Sequence, residues 1–190
     1  IHVTFRPDLS SSGKPLRSFY RSLGEVYKDN VDIIICETMA SIYEGITAAS
    51  MAKDFTSRVW LSWTTRGNKL NRLPSTELLE DAILKASEID IECQLINCIH
   101  ADTASKAILK LKREKKFGIY ANSSIYKQNP LEGFVSDADE FHHHNQQPIN
   151  HLEYAKYVKE WTDAGAFVIG GCCRTTVDHI KQIKSVIKNI

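Results

Sequence analysis

No stretch of this chain stays apolar for anything near the ~20 residues that a helix needs to cross a bilayer. A surplus of charge is also missing: 24 Lys and Arg face 23 Asp and Glu, a formal net charge of +1. Without a strong positive field there is no electrostatic ground to expect a nucleic acid or a membrane as partner. No basic stretch followed by an apolar one opens the sequence, so a secretory signal is not expected and a cytoplasmic setting is. Nor is there an even complement of cysteines. The five are Cys36, Cys93, Cys98, Cys172 and Cys173, and an odd count without an export signal argues against a disulfide framework. Reduced thiols are then free to serve as core residues, nucleophiles or metal ligands.

What is present is an ordinary globular composition, 43% apolar over 190 residues. That is enough for one sizeable core and too little for two ordinary domains, so residues 1–190 are read as one domain. Short, nearly continuous apolar runs occur at 1–5, 31–36, 59–63, 92–98, 117–121 and 166–169. They are mostly β-branched or aromatic, as expected of parallel strands covered on both faces. Helical spacing separates them. Leu16, Phe19, Tyr20, Leu23, Val26 and Tyr27 form one stripe; Leu78, Leu79, Ala82, Ile83 and Ala86 form another behind a Ser75-Thr76 start signal. A third helix begins near Asp102. Asn150 and Glu153 resemble a capping box for a fourth, closed by Gly165, and Thr175 with Asp178 resembles one for the last. The β-α alternation predicts an α/β fold with a parallel sheet. A closed barrel of this kind needs eight strands and typically ~250 residues, so the alternatives are a smaller open sheet or a barrel that begins outside this sequence. Residues 127–147, which include His142, His143 and His144, are read as a long polar loop over the mouth, and the histidine run as a solvated tract.

The chemistry concentrates in cysteine. Gly170-Gly171-Cys172-Cys173 follows the 166–169 strand and precedes the last helix, at the carboxyl end where α/β folds place their sites. Adjacent cysteines can share one metal only if the backbone leaves the extended state, and the two glycines permit that bend. The helix start beyond them favours ionised thiols. Cys98 also ends a strand. Cys93 lies an odd number of residues before it, so in a regular strand the two face opposite ways; Cys98 is assigned to the site, and Cys93 and Cys36 to packing. Three thiolates suit zinc and leave a fourth position open, the arrangement of a catalytic site. A thiol entering that position would ionise at neutral pH and act as a nucleophile.

The segment Gly170-Gly171-Cys172-Cys173-Arg174-Thr175-Thr176, with Asp178-His179-Ile180, resembles the carboxy-terminal signature of the homocysteine S-methyltransferase family, with Val177 where Pro is usual. Asp32 to Glu37-Thr38, with Glu44 beyond, resembles that family's "D-x-x-x-x-E-T" strand. Trp60-Leu61-Ser62, Asn97-Cys98 and Tyr120-Ala121-Asn122-Ser123 are similar to its "W-x-S", "N-C" and "Y-P-N-S" strands, in the same order. The resemblance implies a (β/α)8 barrel of TIM type whose third to eighth strands are in this chain and whose first two βα units are not. It implies zinc on Cys98, Cys172 and Cys173, Glu37 binding the ammonium group of homocysteine, and Ser62, Asn97, Asn122 and Ser123 lining the mouth. The implied reaction transfers a methyl group from a small onium donor, of the S-methylmethionine, S-adenosylmethionine or betaine type, to the thiol of homocysteine, giving methionine. The competing expectation is a non-catalytic zinc-binding relative or fragment. A barrel hydrolase is disfavoured because His and carboxylate ligands do not cluster at strand ends.

Overall fold

The computed structural model describes residues 6–65, 71–126 and 146–188. The expected strand at 1–5, the histidine run and most of the expected mouth loop lie outside the described residues. Five strands form one parallel sheet: β1 (Ile34–Met39), β2 (Val59–Trp63), β3 (Cys93–His100), β4 (Phe117–Asn122) and β7 (Val168–Gly171), in the order β1-β2-β3-β4-β7. A short antiparallel pair, β5 (Ser124–Tyr126) with β6 (Gln146–Pro148), branches from the end of β4 and takes in part of the segment expected as loop. Helix α1 (Gly13–Tyr27) precedes β1. Each parallel strand is then followed by a helix: α2 (Ile42–Ala52), α3 (Leu79–Ser87), α4 (Ala101–Ala107), α5 (His151–Asp163) and α6 (Val177–Lys188). Parallel strands paired in chain order, each followed by a helix, make an arc of a (β/α)8 barrel. Among the described residues its two edges are β1 and β7.

The register separates the two faces of this arc. Cys36, Leu61, Gln94 and Phe117 lie side by side across β1 to β4, and Trp63, Ile96, Ile119 and Ile169 form the next row of that face. This is the helix side. Gln94 reaches the Ile83 carbonyl of α3 at 3.0 Å, and the Trp63 ring abuts Gly45 of α2 so closely that a Cβ there would lie 2.5 Å from it. Most of the buried apolar core lies in this layer, between sheet and helices. The opposite, inner face carries Ile35, Trp60 and Cys93 in one row, Ser62, Leu95, Gly118 and Val168 in the next, and Asn97, Tyr120 and Gly170 nearest the carboxyl ends. The row of small and polar residues therefore sits at the mouth.

The strands at 59–63, 92–98 and 117–121 occur within two residues of expectation. The first observed strand runs three residues later than the apolar run at 31–36, because its ladder with β2 begins at Ile34 and continues through a bulge to Met39. Helix α2 had no apolar stripe to announce it. It is short, alanine-rich and buried on several sides, with Glu44, Gly45, Thr47, Ala48, Ala49 and Ala52 all inaccessible. Its cap was legible nonetheless: Ser41 accepts from the Glu44 N–H at 3.2 Å, the first half of an S-x-x-E pattern. The Asn150–Glu153 capping box is present with both bonds. At α6 the cap falls one residue later than expected: Thr176, not Thr175, pairs with a side chain three residues on, and that side chain is His179.

Candidate metal centre

Two strand ends at the mouth and the loop after β7 leave the extended conformation in the same way. Thr38, Cys98 and Arg174 have φ of 59°, 56° and 64°, the left-handed region that non-glycine residues enter at a cost. At Thr38 and Cys98 the ladder register shifts as well. The turn at Cys98 decides where its thiol points. Alternation along β3 puts Cys93, Leu95 and Asn97 on the inner face and would put Cys98 on the helix side. The left-handed turn at Cys98 breaks the alternation and swings its thiol back to the mouth. Cys93 is separated from the site by position: it starts β3, about 16 Å away at ordinary strand rise.

The Sγ atoms of Cys98, Cys172 and Cys173 lie within 4.8 Å of one another, and Cys98 Sγ is 3.6 Å from Cys173 Sγ. Two thiolates that share a tetrahedral zinc at ~2.3 Å sit roughly 3.8 Å apart, so the spacing suits one ion. Soft sulfur donors in a threefold set favour zinc over hard cations. Among the described residues this is the one group of three or more His, Cys, Asp or Glu side chains spaced to hold a metal.

The thiols do not share one character. A hydrogen bond from the Cys98 thiol, with further ones from the Cys173 N–H and thiol and the Asn97 amide, outweighs burial and brings Cys172 down to about 6. Cys98 moves up, as the donor to Cys172 and then through burial. Burial raises Cys173. Cys36 and Cys93, buried in apolar surroundings, are both pushed up to about 12. The three thiols share their protons, with Cys172 shifted toward the thiolate and Cys98 and Cys173 away from it, and a dication would ionise the set.

Backbone bonds fix the ligand loop. The Cys172 N–H donates to the Ala121 carbonyl at 2.8 Å, extending the β4–β7 ladder by one step. Cys173 is held on both sides: its N–H donates to Asn122 Oδ1 at 3.1 Å, and its carbonyl accepts from the Ser123 N–H at 2.9 Å. Thr175 turns back to the Cys172 carbonyl through its hydroxyl at 2.7 Å. A Cβ on Gly171 would lie 2.6 Å from the Thr175 side chain, so only glycine fits there.

The residues expected to line the mouth fall into two groups. Asn97 is a fully buried hub: its Oδ1 accepts from Ser62 Oγ at 2.7 Å and from the Thr38 N–H at 3.0 Å, and its Nδ2 donates to Thr38 Oγ1 at 2.7 Å. Glu37 is exposed at the end of β1 and accepts from the Tyr120 hydroxyl at 3.4 Å. Asn122 and Ser123, by contrast, sit under the cysteine loop. The Ser123 hydroxyl donates to the Ile149 carbonyl at 2.6 Å and lies 2.7 Å from His179 Nε2. Sequence reading passed over Thr38, Tyr120 and His179 as site residues. Thr38 and His179 stood inside segments already singled out, but nothing in a linear pattern shows that one adopts a left-handed turn or that the other bonds back to β4.

The class defined by this geometry is an α/β barrel with a cluster of three cysteines, spaced to hold a metal, at the carboxyl ends of its strands. Its relatives agree. A model of the homocysteine S-methyltransferase family matches residues 5–187, and the chain belongs to that family. It is 27% identical to the homocysteine S-methyltransferase of Escherichia coli strain K12 over 95% of this chain and 56% of that protein. It is 28% identical to homocysteine S-methyltransferase 3 of Arabidopsis thaliana, over 95% of this chain and 50% of that protein. With the selenocysteine methyltransferase of Astragalus bisulcatus it shares 26% identity, over 92% and 50% of the two chains. The crystal structure of the homocysteine methyltransferase MmuM from Escherichia coli in its metallated form superposes with a TM-score of 0.72 at 26% identity, over 96% of this chain and 55% of that one. The chain therefore spans about half the length of the relatives it matches.

Proposed function

We propose that this chain carries the metal-binding part of a zinc-dependent methyltransferase that moves a methyl group from a small onium donor to the thiol of homocysteine, giving methionine. The observation that carries this reading is the convergence of Cys98, Cys172 and Cys173 within 4.8 Å at the strand ends of a family member. Three thiolates from this chain would hold the ion. Zinc, when bound, supplies the Lewis acidity that ionises a substrate thiol at neutral pH.

The remaining chemistry belongs to the protein. Asn97 ties the ends of β1 and β2 to β3, while Asn122 and Ser123 hold Cys173 in place. Glu37, at the exposed end of β1 and braced by Tyr120, would pair with the substrate ammonium group. Its carboxylate sits on the same mouth as the thiols, so it and the sulfur site would grip the two ends of one amino acid. In the transfer, the sulfur lone pair forms the new bond to the methyl carbon. The old bond's electrons leave with the donor, which departs neutral, and the thiol proton goes to solvent. No general acid is required.

The competing reading is a zinc-binding relative without turnover. Zinc content measured together with methionine formation from homocysteine across sulfonium and betaine donors separates the two, using the complete protein and its Cys172→Ala variant. About one zinc per chain with turnover in the wild type, and neither in the variant, supports the enzyme. Zinc without turnover for any donor supports the alternative. The reading extends to residues 1–190 as one barrel domain without its first two βα units, working in the cytoplasm. Separately, no helix among the described residues is long and apolar enough to cross a membrane.

A further inference from the structure

His179 is buried in the first turn of α6, away from the thiols, and both of its ring nitrogens are engaged. Nδ1 accepts from the Thr176 N–H at 3.1 Å, with the Thr176 hydroxyl at 2.9 Å. An accepting Nδ1 leaves the proton on Nε2, which donates to Ser123 Oγ at 2.7 Å; that hydroxyl in turn donates to the Ile149 carbonyl at 2.6 Å. Ser123 also donates its N–H to the Cys173 carbonyl at 2.9 Å.

These bonds close a ring. Ser123 grips the ligand loop at Cys173 through its main chain and at Thr176 through His179. Between those two grips lies Arg174, whose φ of 64° is a conformation that a side chain other than glycine resists. Such a turn persists only where the surroundings hold it from both sides. The turn fixes the path by which the chain leaves Cys173 for α6.

We propose that His179 is a positioning residue for the metal centre: through Ser123 and Thr176 it clamps the ligand loop on both sides of the left-handed turn at Arg174 and so holds Cys173 in place beside Cys172. It touches neither metal nor substrate. Groups that orient metal ligands in this way are typically worth roughly 10- to 100-fold in metal affinity. The clamp further requires that Ser123 and His179 act as one unit.

The inference rests on the metal reading above, and its test keeps the two apart. Zinc affinity of the full chain is measured by competition with a chromophoric chelator for wild type, His179→Ala, Ser123→Ala and the double variant. Cobalt is then substituted for zinc, and the thiolate-to-cobalt absorption per bound ion is read. His179→Ala should weaken zinc binding about 10- to 100-fold and lower the thiolate absorption, because fewer thiols reach the ion. The double variant should be no weaker than the worse of the two single ones. His179→Asn is the second arm. It preserves the acceptor for Thr176, and so the helix cap, but removes the bond to Ser123; it should fold and still lose affinity. Wild-type affinity and cobalt spectrum in a folded His179→Ala or His179→Asn protein would overturn the clamp. So would additive losses in the double variant, or failure of both single variants to fold, which would make His179 a general stability residue. Absence of zinc binding by the wild type would instead sink the metal reading itself.

Discussion

Asn97→Ala tests the architecture of the mouth most directly. The side chain is fully buried and is tied to the neighbouring strands through the Ser62 hydroxyl at 2.7 Å, the Thr38 N–H at 3.0 Å and the Thr38 hydroxyl at 2.7 Å. Each neutral bond contributes about 1 kcal/mol net, and a buried group left without its partner costs about 1–3 kcal/mol more. The Ser62 hydroxyl is as buried as Asn97 and cannot turn to water. Thr38 loses two of the contacts that hold it at φ 59°. Together these give a loss of about 3–5 kcal/mol. At about 2–4 °C per kcal/mol for a chain of this size, Tm should fall by roughly 10–15 °C. The assay is thermal and urea unfolding followed by circular dichroism in the presence of chelator, so that bound metal does not add to the signal. Ser62→Ala should cost about 1 kcal/mol in the wild type and almost nothing in the Asn97→Ala background, since its partner is already gone. A melting point within about 3 °C of wild type, or strict additivity of the two changes, would refute the picture of Asn97 as a hub.

Three further outcomes follow from the same geometry. Gly171→Ala should destabilise the fold by about 1–3 kcal/mol and reduce zinc content, because its Cβ would lie 2.6 Å from Thr175; unfolding and metal analysis on one preparation check both. In the metal-free chain Cys172 should react with iodoacetamide with an apparent pKa near 6, while Cys36 and Cys93, near 12, stay inert at neutral pH; mass mapping of the alkylated sites across pH 5–9 reads this. Glu92, hydrogen-bonded first by Arg58 and then by Lys116, is held down to about 2. A folded pKa below the unfolded value stabilises above the unfolded pKa and ceases to do so as pH falls through the folded one. Glu92→Gln should therefore lower Tm at pH 7 and leave it nearly unchanged near pH 2, provided the acid state is still folded.

Much of this molecule was legible in one dimension. The central strands announced themselves because buried parallel strands are continuous apolar runs, and β2, β3 and β4 fall almost where those runs do. The capping box at Asn150 was readable because it depends on residues three apart. The trio Cys98, Cys172 and Cys173 was readable because strand ends and a double glycine are local signals. The parity argument chose Cys98 over Cys93, and Cys98 is the one that lies beside Cys172 and Cys173, but its premise was incomplete. Both cysteines end up on the inner side of the sheet, Cys93 by alternation and Cys98 by a left-handed turn that breaks it. Helix α2 escaped notice since a helix buried on several sides carries no stripe.

By itself the sequence determined the α/β order, the placement of the cysteines at strand ends and the family signature, because each depends on neighbours a few residues apart. Only the tertiary structure decided that the three thiols converge, that Asn97 joins three strands, and that Asn122, Ser123 and His179 stand beneath the cysteine loop. Those facts depend on groups brought together across the sheet: Thr38 with Asn97, and Ser123 with both Cys173 and His179. No spacing in the chain encodes them. They arise when parallel strands align in register and place their carboxyl ends, with the left-handed turns at Thr38, Cys98 and Arg174, around one mouth.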